Sequence, residues 1–239
     1  MTHWRPVRSQ QRPSCGAGYR QNRYADLTET TMSSSIRGIA AFDLDGTLLR
    51  GATVCEVLAK PLGRLEEMKS FEALTQERDI AAARIQMAQW YGQTVGDLNL
   101  HLRNAQWAPG AREAIQKLQS EQVEVVIASV TWKFAVRWFA EQLNVAHYLG
   151  TELLEGGEIV HVWSRDKAQF LRELSSRREV PRHRVAAIGD SDGDMEMLRE
   201  AGLRFYLGAT APSRSDESIH LPGADIRVVA EQILQAWAS

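Results

Sequence analysis

The stretch Ala40-Ala41-Phe42-Asp43-Leu44-Asp45-Gly46-Thr47-Leu48-Leu49 decides how the rest of the chain is read. An apolar run ends in two carboxylates one residue apart, followed by Gly46 and Thr47, before hydrophobic residues resume. A short run of this kind predicts a strand lying inside a sheet. Two acids beside a core carry a heavy desolvation cost unless something compensates them. Asp43 and Asp45 therefore point to a metal, a nucleophile or both. A strand running into an Asp-Gly turn fits the same local pattern, so the remainder of the chain has to choose between the readings.

Toward the N-terminus the strand is expected to begin at Ile36. The segment from Met1 to Ser35 carries Arg5, Arg8, Arg12, Arg20 and Arg23 among Gln, Ser, Thr and Pro, with no periodic apolar face. It reads as a disordered tail, residues 1–35, without a catalytic part. An organelle transit peptide shares this flavour, but Asp26, Glu29 and the lack of an amphipathic helix weigh against one. Met32 is an alternative start.

Toward the C-terminus the pattern turns helical from about Thr53 to Ala105, through Val54, Val57, Leu58, Leu65, Met68, Ile80, Ile85, Met87, Trp90, Leu98 and Leu102. Thr94-Val95-Gly96-Asp97 looks like a break between two helices. The block is too long for a simple connection between strands and reads as an inserted helical cap, residues 51–106. A core of residues 36–50 and 107–239 surrounds it. After Pro109, which suits a helix start, Val123 to Ala128 is a second buried strand closing in Ser129-Val130-Thr131-Trp132. Tyr148 to Val162 holds Glu155-Gly156-Gly157-Glu158 between strand-prone flanks, the pattern of a hairpin. A helix is expected from about Arg165-Asp166-Lys167, and a third central strand from Arg184 to Ile188 leads into Gly189-Asp190-Ser191-Asp192-Gly193-Asp194. Leu203 to Leu207 and Ile226 to Val229 are read as further strands. The alternation predicts an α/β, Rossmann-like fold: a parallel sheet covered by helices on both faces.

In such sheets ligands bind beyond the carboxyl ends of the strands, and Asp43, Ser129 and Asp190 each follow a predicted strand. One acid at a strand end is ordinarily a turn residue or helix cap. Their convergence in one crevice is what separates a site from a set of turns.

These residues resemble the four motifs of the haloacid dehalogenase-like hydrolase superfamily: Asp43-Leu44-Asp45-Gly46-Thr47, Ser129 after the second strand, Lys167 downstream, and Gly189-Asp190 followed by Asp194. The order is most similar to the phosphoserine phosphatase-like branch, whose helical cap follows the first motif. The resemblance runs from about Ile36 to the C-terminus. It implies a magnesium-dependent phosphatase acting on a small phosphorylated metabolite. Asp43 would be the nucleophile, since a carboxylate can attack a phosphoryl group and split hydrolysis into two steps. Asp43 and Asp190 would bind Mg²⁺ through side chains and Asp45 through its carbonyl, with Asp194 a ligand through water or an orienter. The Asp45 carboxyl is then left for acid-base work. Ser129 and Lys167 would hold the phosphate, with Arg165 and Lys133 as alternative cations. An acid at Asp45 goes with phosphate esters rather than carbon–halogen bonds, while phosphotransfer remains open.

The resemblance is less complete around the substrate. Spacing from Asp43 puts Ala52 where phosphoserine phosphatases carry a Glu that contacts the substrate amine, and Glu56 stands one turn further on. Val130-Thr131-Trp132 replaces the usual glycines and phenylalanine, and Gly193 replaces a common Asn. Trp90, Trp107, Arg84 and Arg103 are possible contacts for a substrate's far end; tryptophans at helical spacing are more often core and arginines more often solvated, so the four are left out of the site. The alternative in another class is a non-catalytic binder of a phosphorylated ligand or partner protein.

With 239 residues the chain has room for a sizeable core and an inserted smaller domain. A net charge of −2 gives no electrostatic case for nucleic acid. Cys15 and Cys55 are too few for a disulfide framework or a cysteine zinc site, so the cytoplasm is the expected compartment. No uninterrupted apolar run is long enough for a membrane span. Oligomeric state is not legible at this level.

Overall fold

The computed structural model describes residues 36–91, 95–212 and 217–238. The expectations for the tail of residues 1–35, and for Met32 as a start, lie outside the described residues.

The first strand, β1 (Gly38–Phe42), is buried at every position, as its unbroken apolar run requires in the middle of a sheet. Its neighbours are β4 (Val123–Trp132) and β7 (Val185–Gly189), both parallel to it. Phe42 lies opposite Ile127 on one side and Ile188 on the other, so the residues just after it share a rim with Ala128 and Gly189. Outside these come β5 (His147–Leu153) and β6 (Ile159–Val160) on one flank, β8 (Leu203–Tyr206) and β9 (Ile219–His220) on the other. The full order is β6-β5-β4-β1-β7-β8-β9. Among the described strands of this sheet only β6 runs antiparallel, closing the expected hairpin through Gly156 and Gly157.

Helices cover both faces. On one, α5 (Ala111–Ser120) packs against α9 (Ile226–Ala236), and the Gln119 amide of α5 donates to the Leu143 carbonyl at the end of α6 (Lys133–Gln142). On the other, α7 (Ser164–Arg177) packs against α8 (Met195–Glu200). Between β1 and α5 the chain leaves through β2 (Leu49–Arg50) and returns through β3 (Gln106–Trp107), which pair antiparallel as a two-stranded ribbon. The helices between them are α1 (Val54–Ala59), α2 (Leu65–Glu72), α3 (Glu77–Tyr91) and α4 (Val95–His101). Helix α4 begins at Val95 itself, so Val95-Gly96-Asp97 belongs to the helix rather than to the break before it.

Two sequence expectations are corrected. Ile226 to Val229 is not a strand but the start of α9. Its β-branched residues favour strands locally, yet Ile226, Val229, Ala230 and Ile233 are all buried, which is the spacing of one helical face. Asp225 starts the helix by accepting a hydrogen bond from the Arg227 N–H (2.9 Å). The second correction concerns β4, which does not close at Ala128. It runs on to Trp132, which pairs with Thr151 across a register shift, so Ser129 sits in an irregular stretch inside the strand.

Candidate active site

The backbone N–H of Asp43 donates to the Ile188 carbonyl (2.9 Å), continuing the β1–β7 ladder by one residue and delivering the carboxylate to the rim. Chain direction then changes at once. Asp45 is extended and Gly46 takes φ +79°, a conformation that suits glycine. A Cβ on Gly46 would lie 2.1 Å from an Asp190 oxygen, so glycine is needed for approach as well as for the turn.

Lys167 joins the two ends of the site. Its Nζ donates to Asp43 Oδ1 and to Asp194 Oδ1, both at 2.6 Å, and the side chain is 3% exposed. Burial opposes its charge, but Asp194 and Asp43 together hold the ammonium above the ordinary lysine range. Its place is set by the first turn of α7, where Asp166 accepts from the Trp163 N–H (2.9 Å). The other oxygen of Asp194 accepts from the backbone N–H groups of Asp190 (3.1 Å) and Ser191 (3.0 Å) and from the Ser191 hydroxyl (3.0 Å). Asp194 is thus fully engaged and fully buried.

One oxygen from each of Asp43, Asp190 and Asp194 lies within 4.8 Å of the others. Burial, then the charge of Asp194, pushes Asp43 well above the usual carboxylate range despite Lys167. The same two causes push Asp190 up to about 6, even though the Thr47 hydroxyl donates to its Oδ1 at 3.1 Å. One ammonium thus faces three clustered carboxylates, and the donors are all oxygen. This chemistry fits a hard divalent cation, which would relieve the repulsion and complete the charge balance.

Asp45 stands apart from that cluster. Its Oδ1 accepts from the Val54 N–H at the start of α1 (2.7 Å), and burial pushes its carboxyl up to about 7 against that hydrogen bond. A carboxyl in this range can both give and take a proton near neutrality. Ser129 is buried on the neighbouring strand, and its Oγ accepts from the Thr131 N–H (3.2 Å). All six expected residues therefore lie on one rim. Of the alternative cations, Lys133 pairs with Glu152 (3.2 Å) and Arg165 with Glu77.

Around this centre the structure corrects one reading and adds one residue. Arg84 is not solvated; it is 7% exposed and donates to main-chain carbonyls of β4 and of the loop before α7. Thr47, in the opening motif but not expected in the site, is buried and holds Asp190. Glu56 is taken up by its own helix, its carboxylate accepting from the Thr53 N–H (3.0 Å). Trp90 and Trp107 pack against the core as expected, stacking on Phe71 and meeting Phe139 edge-on respectively.

A mostly parallel sheet of this order flanked by helices is a fold shared with known proteins. The family model described as haloacid dehalogenase-like hydrolase matches residues 40–199, and the chain belongs to that family. A phosphoserine phosphatase of Campylobacter jejuni subsp. doylei is 26% identical over 207 residues, covering 82% of this chain and 99% of the relative. A phosphoserine phosphatase of Archaeoglobus fulgidus is 23% identical over 181 residues, covering 72% of this chain; the match spans about half (52%) of that relative. Among solved structures, a phospho-aspartyl intermediate analogue of phosphoserine phosphatase superposes with a TM-score of 0.61 at 19% identity. It covers 72% of this chain and 86% of its own, and shows the same fold. No helix among the described residues is long and apolar enough to cross a membrane.

Proposed function

We propose that the chain is a magnesium-dependent phosphatase that hydrolyses a small phosphomonoester through an aspartyl-phosphate on Asp43. The observation that carries this reading is the division between the two acids of the opening motif. Asp43 is bound to Lys167 in the acidic cluster, while Asp45 stands outside it with a carboxyl pushed up to about 7. The phosphatases named among the relatives support the same chemistry.

A carboxylate oxygen of Asp43 attacks phosphorus, the bond to the leaving oxygen breaks, and the Asp45 carboxyl gives that oxygen its proton. Asp45, now ionised, takes a proton from water. The resulting hydroxide attacks the phosphorus of the aspartyl-phosphate, which releases phosphate and restores Asp43. Lys167 offsets negative charge on Asp43 and the phosphoryl group, and the Ser129 hydroxyl binds a phosphoryl oxygen. Asp43, Asp190 and the Asp45 carbonyl would hold Mg²⁺, with Asp194 acting through water or as an orienter. When bound, the ion supplies charge neutralisation at the phosphoryl oxygens. The helical insertion, residues 51–106, serves as the cap that shields this chemistry from bulk water.

The leaving group belongs to a small metabolite in the cytoplasm. Phosphoserine is not favoured, because Ala52 offers no carboxylate and Glu56 is occupied at its helix start. Hydrolysis of p-nitrophenyl phosphate tests the reaction class. Wild type is expected to release phosphate only with Mg²⁺, and Asp43→Asn not at all above background; equal slow rates from both proteins would remove the enzyme reading. A panel of phosphorylated metabolites including phosphoserine then ranks the leaving groups.

A further inference from the structure

Arg84 is a buried charge that the proposed reaction does not use. It lies in α3, within the helical insertion, but all its main-chain acceptors belong to the core. Nη2 donates to the Val130 carbonyl (2.8 Å), and both Nη1 and Nη2 approach the Val162 carbonyl (3.3 Å). Nη1 also meets His161 Nδ1 (3.2 Å), and the guanidinium stacks 4.8 Å from the centre of the Trp163 ring. Burial lowers its pKa to about 10, which leaves it charged at neutral pH.

These acceptors are the main-chain neighbours of the phosphate-binding groups. Val130 follows Ser129 directly. Val162 precedes Trp163, whose N–H and carbonyl set the first turn of α7 and hence the place of Lys167. The core already joins the two segments once: the Thr151 hydroxyl donates to the Val130 carbonyl (2.8 Å) and accepts from the Val162 N–H (3.1 Å). Arg84 closes this into a ring, Val130–Thr151–Val162–Arg84, whose last member comes from the insertion. A planar guanidinium can bridge two carbonyls in fixed geometry, which an ammonium on a flexible stem does less well.

Resting on the reading of Ser129 and Lys167 as the phosphate site, we propose that Arg84 is a positioning residue. It sets the separation of the two phosphate-binding segments and makes that separation depend on the insertion being seated. The phosphate site is then complete only when α3 is docked, so water exclusion and phosphate binding are linked by one side chain. As a positioning role it predicts the same effect whatever the leaving group, since the bonds it is argued from run to the Val130 and Val162 carbonyls.

The test compares wild type, Arg84→Gln and Arg84→Lys. Two measurements are made on each: inhibition by inorganic phosphate, and hydrolysis of p-nitrophenyl phosphate and acetyl phosphate, whose leaving groups differ. Arg84→Gln is expected to weaken phosphate inhibition and lower kcat/KM about tenfold or more, since small misplacements of positioned groups have effects of this size. The loss should be the same for both substrates, with partial recovery in Arg84→Lys. Unchanged phosphate inhibition with only a lowered melting temperature would overturn the proposal, as would a loss confined to one substrate. If Arg84→Gln does not fold, the comparison rests on Arg84→Lys, for which unchanged phosphate inhibition would equally overturn it. Failure of wild type to hydrolyse either substrate would instead reject the phosphatase reading itself.

Discussion

Lys167 concentrates the chemistry of this molecule in a single side chain. An ammonium at 3% exposure is tolerable only because two carboxylates, Asp43 and Asp194, accept from it at 2.6 Å. Lys167→Met would leave these acids buried without their partner, which for a broken buried ion pair costs on the order of 3–5 kcal/mol. Urea denaturation without divalent cation should show a loss of that order, and hydrolysis should fall to background. A fully stable Lys167→Met protein would mean that the carboxylates are relieved in some other way. Lysine at this position was legible only from its order among the motifs, because its partners lie 124 and 27 residues away. The contacts of Arg84 were not legible. Its acceptors are carbonyls of Val130 and Val162, 46 and 78 residues off, and main-chain acceptors leave no signature in side-chain identity.

Among the elements, the central strands and the helices that follow the first of them were readable because their signals are local. The unbroken apolar run before Asp43 gives β1, and the long helical stretch after it cannot be a strand connection. Two elements were misread where local preference and tertiary context disagree. Ile226 to Val229 looks like a strand by its β-branched content, but its buried residues fall on one helical face packed against α5. Ser129 by sequence follows its strand, whereas β4 continues to Trp132 because Thr151 on β5 accepts it as a partner. The start of α9 gives a direct check. Asp225→Ala removes the acceptor for the Arg227 N–H and should lower unfolding stability by about 1 kcal/mol in chemical denaturation. Activity should be unchanged, since α9 covers the sheet face rather than the rim. No loss of stability would show that the bond contributes nothing to the helix start.

Across the whole molecule, the order β4-β1-β7 at the sheet centre brings Ser129, Asp43 and Asp190 onto one rim, and α7 and α8 add Lys167 and the turn carrying Asp194. Separate segments of chain thus meet only in the folded state, so a cation held there is bound by the native protein and not by the unfolded chain. Mass action then requires stabilisation that grows with free cation concentration. The melting temperature of wild type is expected to rise across a MgCl₂ series, and that of Asp190→Asn to rise much less. Parallel curves for the two proteins would place the cation elsewhere. The substrate stays the least legible feature of the molecule: Ala52 carries no carboxylate and Glu56 is bonded at its own helix start, so no motif names the leaving group.

The most direct measurement is to trap the phosphoenzyme by acid quench during turnover of a phosphomonoester and map the phosphorylated peptide by mass spectrometry. The phosphoryl group is expected on Asp43, absent from Asp43→Asn, and both slower to form and slower to decay in Asp45→Asn. A phosphoryl group on any other residue, or turnover by Asp43→Asn without one, would contradict the assignment of Asp43 as nucleophile.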